Sequence, residues 1–244
     1  MAYWTAKAIV DQLVAELGLI PTPSLVGVSG QTEVQSSQIL ALMNSAGNEL
    51  NTYYPWQQFA KEFTVTMVPG QSAYPLPDDY KYFTDQTQWD RTNHWPLSGP
   101  KSAQEWAFLK GSLVAGFPQL RFRVMQDKFV VFPTPTSDTP FNLAMEYIIK
   151  FWVSDSSSLP ATKEMASADS DVVWYDPWLI IKFTKLKFYE LKGFDTTALQ
   201  GDFVRTFNSL TGKDTGAPIL NLAGMQAEYL LGIKNIPDGN WGIM

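Results

Sequence analysis

Between Asp176 and Gly193 the sequence specifies a helix that cannot lie on a surface. Asp176 is a natural N-cap, Pro177 suits the first helical position, and Gly193 suits the position just past the end. Between these marks Leu179, Ile180, Phe183, Leu186, Phe188 and Leu191 cover most of the helix circumference. A helix apolar nearly all round belongs in the middle of a bundle, so the rest of the chain has to supply its neighbours.

Three further segments qualify. In the first, Ala6, Ile9, Val10, Leu13, Val14 and Leu17 recur at helical spacing, with Gly18 as the stop. After a loop rich in Pro, Gly and Ser over residues 18–31, a second helix opens at Thr32. There Thr32 and Gln35 have capping-box spacing. Its stripe is Ile39, Met43, Ala46, Leu50 and Tyr53, and Pro55 ends it by pushing the preceding residue out of the helical region. The resulting rod is roughly 33 Å long. The fourth helix runs from about Thr196 to Leu210 on a stripe of Leu199, Phe203, Phe207 and Leu210, with Gly212 after it.

Residues 56–154 read differently. Lys61–Val68 is β-rich, and Pro69-Gly70 turns it into Ser72–Leu76. Arg121–Met125 and Lys128–Phe132 form a hairpin around Gln126-Asp127. Over Asn142–Val153 one face carries Leu143, Met145, Tyr147, Ile149, Phe151 and Val153, and the other is only partly polar, which predicts a long strand packed on both sides or against a neighbour. Ser102–Lys110, with Trp106 and Leu109 as its apolar contacts, is the helical exception.

The expected fold is α+β: a four-helix bundle-like domain (1–55 and 172–212), a β-rich insertion between helices 2 and 3 (56–171), and an extended C-terminal arm (213–244). The arm is rich in Gly yet also carries Ile219, Leu220, Leu222, Met225, Tyr229, Leu230, Leu231, Ile233, Ile236, Trp241 and Ile243. Such a segment is too broken to build its own core and too apolar to stay solvated. It either wraps its own domain or lies on another subunit, which its extended length of about 100 Å allows.

Composition removes several kinds of chemistry. The chain has no cysteine, so disulfides, thiol nucleophiles and thiolate metal sites are out. His94 is its one histidine, which excludes His-pair metal sites and makes any Ser-His-Asp triad depend on that residue. A net charge of −6 does not suit a sequence-independent DNA binder. No apolar run is long enough for a transmembrane helix, and no membrane partner is expected. The start, Met1-Ala2-Tyr3-Trp4 leading to Lys7 and Asp11, does not have the form of a secretory signal, so synthesis in the cytoplasm is expected.

The residues that invite chemistry have plainer readings beside the functional ones. Asp78, Asp79, Asp85 and Asp90 lie near aromatics, as in a glycosidase, but Asp beside Pro and Tyr is more often a turn residue. Asp169-Ser170-Asp171 lacks the rest of a calcium loop. Trp89, Trp95 and Trp106 in the insertion offer sugar stacking, interface anchoring, or ordinary core aromatics. Lys182, Lys185 and Lys192 share a helix face with Trp178 and Tyr189, which fits an acidic partner, a nucleic-acid backbone, or lysines snorkelling from a buried helix. No catalytic, metal-binding or cofactor-binding set emerges, and no cofactor is expected.

The order of these parts resembles the head-to-tail adaptor (tail tubular, or head-completion) proteins of short-tailed bacteriophages. The resemblance spans roughly residues 5–212. It is carried by Thr5-Ala6-Lys7-Ala8-Ile9-Val10-Asp11-Gln12-Leu13 with Leu17-Gly18, then Tyr53-Tyr54-Pro55-Trp56 and Gly70-Gln71-Ser72-Ala73-Tyr74-Pro75-Leu76-Pro77-Asp78-Asp79-Tyr80. Trp89-Asp90-Arg91-Thr92, Pro96-Leu97-Ser98-Gly99-Pro100, Gln104-Glu105-Trp106, Phe132-Pro133-Thr134-Pro135 and Lys192-Gly193-Phe194-Asp195 complete the series. The resemblance implies a non-enzymatic virion protein made in the host cytoplasm and placed at the head-tail junction. It would form a twelve-fold ring under the portal protein, lengthen the channel for double-stranded DNA without reading its sequence, and seat tail nozzle or tail fibre proteins. The interface would include Leu222, Met225, Tyr229, Leu230, Ile236 and Trp241 of the arm, with Lys182, Lys185 and Lys192. The rival reading is a carbohydrate-binding or glycan-hydrolysing tail component.

Overall fold

The computed structural model describes residues 3–20, 24–25, 34–111, 120–136, 142–155 and 161–214. The fold is mixed helix and antiparallel strand, as the pattern predicts. Among the described residues no helix is long and apolar enough to cross a membrane.

Helix α1 (Ala6–Leu17) starts on Thr5, whose hydroxyl accepts from the Ala8 amide, and stops at Gly18 in the left-handed region. Helix α2 (Val34–Tyr53) follows the predicted apolar stripe: Ile39, Met43, Ala46 and Leu50 are buried. The side chains of the proposed Thr32–Gln35 capping box lie outside the described residues. Helix α4 (Pro177–Lys192) has its N-cap at Asp176, which accepts from the Trp178 and Leu179 amides, and its C-cap at Gly193 with φ 73°. It packs against α1, α2 and α5 (Thr197–Asp214), the central position that its all-round apolar surface requires. The fourth helix is longer than its sequence stripe predicts. Gly212 lies inside its last turn, and the helix continues to Asp214.

The strands form three antiparallel sheets. A small sheet joins β1 (Trp4–Thr5), β11 (Val172–Val173) and β10 (Val153–Ser154), with β11 in the middle. The main sheet is built on β9 (Asn142–Ile149), which pairs with β2 (Ala60–Thr66) on one side. On its other side lie β4 (Tyr80–Phe83) and β5 (Trp89–Asp90), and β5 pairs onward with β6 (Trp95–Pro96). The third sheet orders β3 (Ala73–Pro75), β8 (Lys128–Phe132) and β7 (Arg121–Met125). The predicted hairpin has the predicted bounds, and Gln126 and Asp127 take φ 51° and 54°, as a tight hairpin turn demands. Helix α3 (Ala103–Gly111) fulfils the helical exception.

The main and third sheets pack face to face. Phe63 and Phe83 from the main sheet meet Phe122 and Phe129 from the third at centroid distances near 6 Å, mostly edge to face. One apolar cluster runs without a break from this sandwich into the helices.

The long strand expected over Asn142–Val153 is corrected. It ends at Ile149, and Val153–Ser154 belongs to a different sheet. Its alternating pattern continues, but the backbone is diverted. The Asn51 side-chain amide donates to the carbonyls of Ile149 (3.0 Å) and Lys150 (3.3 Å), which turns them towards α2 instead of a neighbouring strand.

Candidate assembly surfaces

Helices and sheets are held at a constant angle by directed contacts along α2. Helix α2 has a second face that the sequence reading missed: Asn44, Asn48 and Asn51, one to two turns apart. Asn44 exchanges two hydrogen bonds with the Ala166 backbone, at 2.9 and 3.0 Å. The Trp152 indole donates to Asn48 Oδ1 at 2.9 Å. Gly47 lies among them because only a bare backbone fits: a Cβ there would come within 2.4 Å of the Trp152 ring. Tyr175, fully buried, donates its hydroxyl to the Gly47 carbonyl at 3.1 Å and stacks at a tilt on Trp152. Burial pushes its phenol well above the usual range, so it stays a neutral donor. Three asparagines and a glycine sharing one face of the helix were the available signal.

The carboxylates considered for catalysis are placed one by one. Asp79 accepts from Lys61 Nζ at 2.6 Å and the Tyr147 hydroxyl at 2.8 Å. Burial opposes its ionisation, yet these two donors outweigh it and hold the pKa below the ordinary carboxylate value. Tyr147 is raised in turn, by burial and by the Asp79 charge. Asp90 is buried and accepts from the Thr92 and Asn93 amides and the Asn93 side chain, closing a turn. Asp78 and Asp85 are exposed. The structure therefore engages Asp79 and Asp90 in separate local tasks instead of presenting them as a pair. Asp169 and Asp171 are also structural. Asp169 accepts from the Leu25 amide at 2.8 Å, and Asp171 accepts from the Ser167 and Ala168 amides and from Lys163. Among the described residues no group of acidic or histidine side chains could hold a metal ion.

The tryptophans of the insertion do not form one cluster. Trp106 is buried against Phe132, with ring centroids 6.2 Å apart, whereas Trp89 and Trp95 are two-fifths exposed on β5 and β6. The lysines of α4 turn to their own chain. Lys182 donates to Thr206 on α5 at 2.8 Å, Lys185 pairs with Glu16 on α1 at 3.0 Å, and Lys192 lies over the Phe188 ring at 5.4 Å. Trp178 remains about half exposed at the start of α4, against Trp4. The arm residues Leu222, Met225, Tyr229, Leu230, Ile236 and Trp241 lie outside the described residues.

Among the described residues the sandwich has two outer faces, and α3 covers part of the second, with Trp106 on Phe132. On the outer face of the main sheet Glu62 of β2 stands directly opposite Glu146 of β9, and Trp89 of β5 opposite Ala144. With Arg91 and His94 they line a cleft of about 440 Å³. Like charges in a directly opposed pair repel, and Arg91 relieves this by pairing with Glu62. On the far side of the sandwich, the outer face of the third sheet carries Arg121, Arg123, Met125 and Lys128. Its inner partners Phe122, Phe129 and Val131 are buried.

Against this geometry, the family model described as SU10 adaptor protein matches residues 5–176, well over half of the chain. The chain belongs to the SU10 adaptor protein family. Membership makes it a structural adaptor of a bacteriophage and a component of the virion, in agreement with the resemblance read from its motifs. No curated protein matches the sequence. The match takes in α1, α2, all three sheets and the asparagine–tryptophan junction, and it stops at Asp176, the N-cap of α4. This SU10-family adaptor thus carries its last two helices outside the matched region.

Proposed function

We propose that the chain is the head-to-tail adaptor of its phage, closing as a twelve-fold ring beneath the portal, lengthening the DNA channel and seating the tail nozzle or fibre proteins. It acts by packing, not by catalysing a reaction, and needs no cofactor. The observation that carries this reading is the family match over residues 5–176. Physical considerations support it. A ring needs subunits whose surfaces keep a constant angle, because a heterologous contact closes only when each rotation is the same. The directed contacts of Trp152 with Asn48 and of buried Asn51 with the end of β9 lend the subunit that rigidity. A net charge of −6 suits a lumen through which DNA slides without sticking. The arm, with Leu222, Met225, Tyr229, Leu230, Ile236 and Trp241, docks on the portal or on a neighbouring subunit and covers its apolar side chains there.

Disrupting the gene tests the reading. The expected product is a packaged head without a tail, converted to infectious particles when purified adaptor and tail proteins are added back. Tailed, infectious particles from the disrupted phage contradict it.

A further inference from the structure

The two outer faces of the β sandwich differ in charge. On the open face of the main sheet, the charged side chains borne by β2 and β9 are carboxylates. Glu62 and Glu146 sit directly opposite each other, and only Glu62 has an ion-pair partner, Arg91, among the described residues. Beside them Trp89 is 43% exposed, so an aromatic side chain and a carboxylate share one open cleft. On the outer face of the third sheet, which α3 covers only in part, the charged side chains of the strands are cations. Register places Arg121 opposite Phe132, Arg123 opposite Val130, and Lys128 opposite Met125, at positions that alternate with the phenylalanine core, and Arg123 also lines a cleft with Asp85 and Lys101 at the sandwich edge. Arg121 lies under α3 beside Phe108 and Leu109. Arg123 and Lys128 form no ion pair among the described residues, and Met125 next to them is 38% exposed.

We propose that successive copies of this chain associate head to tail through these two faces, the Glu62–Glu146–Trp89 face of one copy receiving the Arg123–Lys128 face of the next. The inference rests on the ring reading and names the contact that builds it. Its chemistry is a guanidinium stacked on an indole and paired with a carboxylate, with Met125 covering the apolar rim. The geometry is that of the heterologous contact a ring needs, and not of a two-fold dimer. Complementary charge lies on opposite sides of one sandwich, so a copy cannot satisfy both faces with a single partner, whereas like faces repel.

Two full-length variants test it, each altered at solvent-facing positions: an acidic-face variant carrying Glu62→Lys and Glu146→Lys, and a basic-face variant carrying Arg123→Glu and Lys128→Glu. Assembly is read by native mass spectrometry with portal rings present, and circular dichroism checks folding. Each variant alone now has like charge on both faces, and its self-association is expected to weaken at least tenfold. Mixing the two restores assembly, with the variants alternating, because each altered face meets its complement. Variants that assemble as well as the unmodified chain overturn the inference while leaving the ring reading intact, and so does a mixture that stays monomeric. An unmodified chain that never assembles on the portal overturns the ring reading itself.

Discussion

The junction between α2 and the end of β9 and the seam between α4 and α5 both attach a helix to the rest of the chain, by opposite means. At the junction, polar side chains bridge the helix to the loops and strands through directed hydrogen bonds, and one of them, Asn51, is fully buried. Asn44, Asn48 and Asn51 bond backbone or indole partners, and Trp152 presses on bare Gly47. At the seam, no residue of α5 is fully buried. Helix α5 is held by a strip of rings, with Phe203 stacked on Phe183 at 4.4 Å and Phe207 edge-on to Tyr54 and Trp56. Its C-terminal end is tied by the Asp214 carboxylate, which accepts from the Gln57 amide at 3.0 Å. Apolar contact is adaptable, whereas a buried hydrogen bond tolerates little displacement. The junction therefore fixes one geometry, and the seam holds a helix that can be adjusted. The junction lies inside the family-matched residues and α5 lies outside them.

The largest expected effect comes from the junction. Trp152→Ala removes a fully buried ring and strips Asn48 of its donor, and should cost about 3–5 kcal/mol in urea unfolding. If Phe203→Ala at the seam cost as much, the contrast between the two regions would disappear.

The next effect concerns the loop that α1 and α2 lean on. Ala6 donates its amide to the Asp171 carbonyl, and Asn44 holds Ala166 a few residues earlier. Burial disfavours the Asp171 charge, but the Ser167 and Ala168 amides and Lys163 outweigh this and lower its pKa. Asp79 is lowered in the same sense. A carboxylate whose folded pKa lies below its unfolded value adds stability at pH above the unfolded value, and that stability is lost as pH falls through the folded one. Stability should thus hold near neutrality and fall below about pH 4, the ordinary carboxylate range. Asp171→Asn should cost about 2–3 kcal/mol at pH 7 and flatten the acid limb, as measured by thermal unfolding across pH.

How much of this was legible beforehand follows the same division. Asp176, Pro177 and Gly193 mark α4 because caps depend on local backbone geometry. The Gln126-Asp127 turn is also local, and its strands have the bounds that the pattern predicts. The end of β9 was not legible. Residues 150–153 keep the alternation of a strand, and what breaks it is Asn51, about a hundred residues away in sequence. The overrun of α5 past Gly212 has a similar cause, since Thr211 and Asp214 take partners at Tyr54 and Gln57. The lysine face of α4 was visible as a pattern, but its neighbours, Thr206 and Glu16, come from other helices.

Smaller effects sharpen the seam. Phe203→Ala should cost about 1–2 kcal/mol, because the ring is half-buried and its stack on Phe183 adds a modest amount beyond area. Hydrogen exchange should show α5 opening at lower free energy than α2 in the unmodified chain. Asp176→Ala removes the cap of α4 and should cost about 1 kcal/mol, measured as a shift in urea midpoint at constant slope.

The central claim is that this SU10-family chain assembles by packing with its own copies on a portal. Native mass spectrometry of the purified full-length chain, titrated with portal rings, tests it most directly. The account predicts a closed complex of defined mass carrying one adaptor ring per portal, formed from adaptor that is monomeric beforehand. A chain that stays monomeric and unbound at every portal concentration would contradict it.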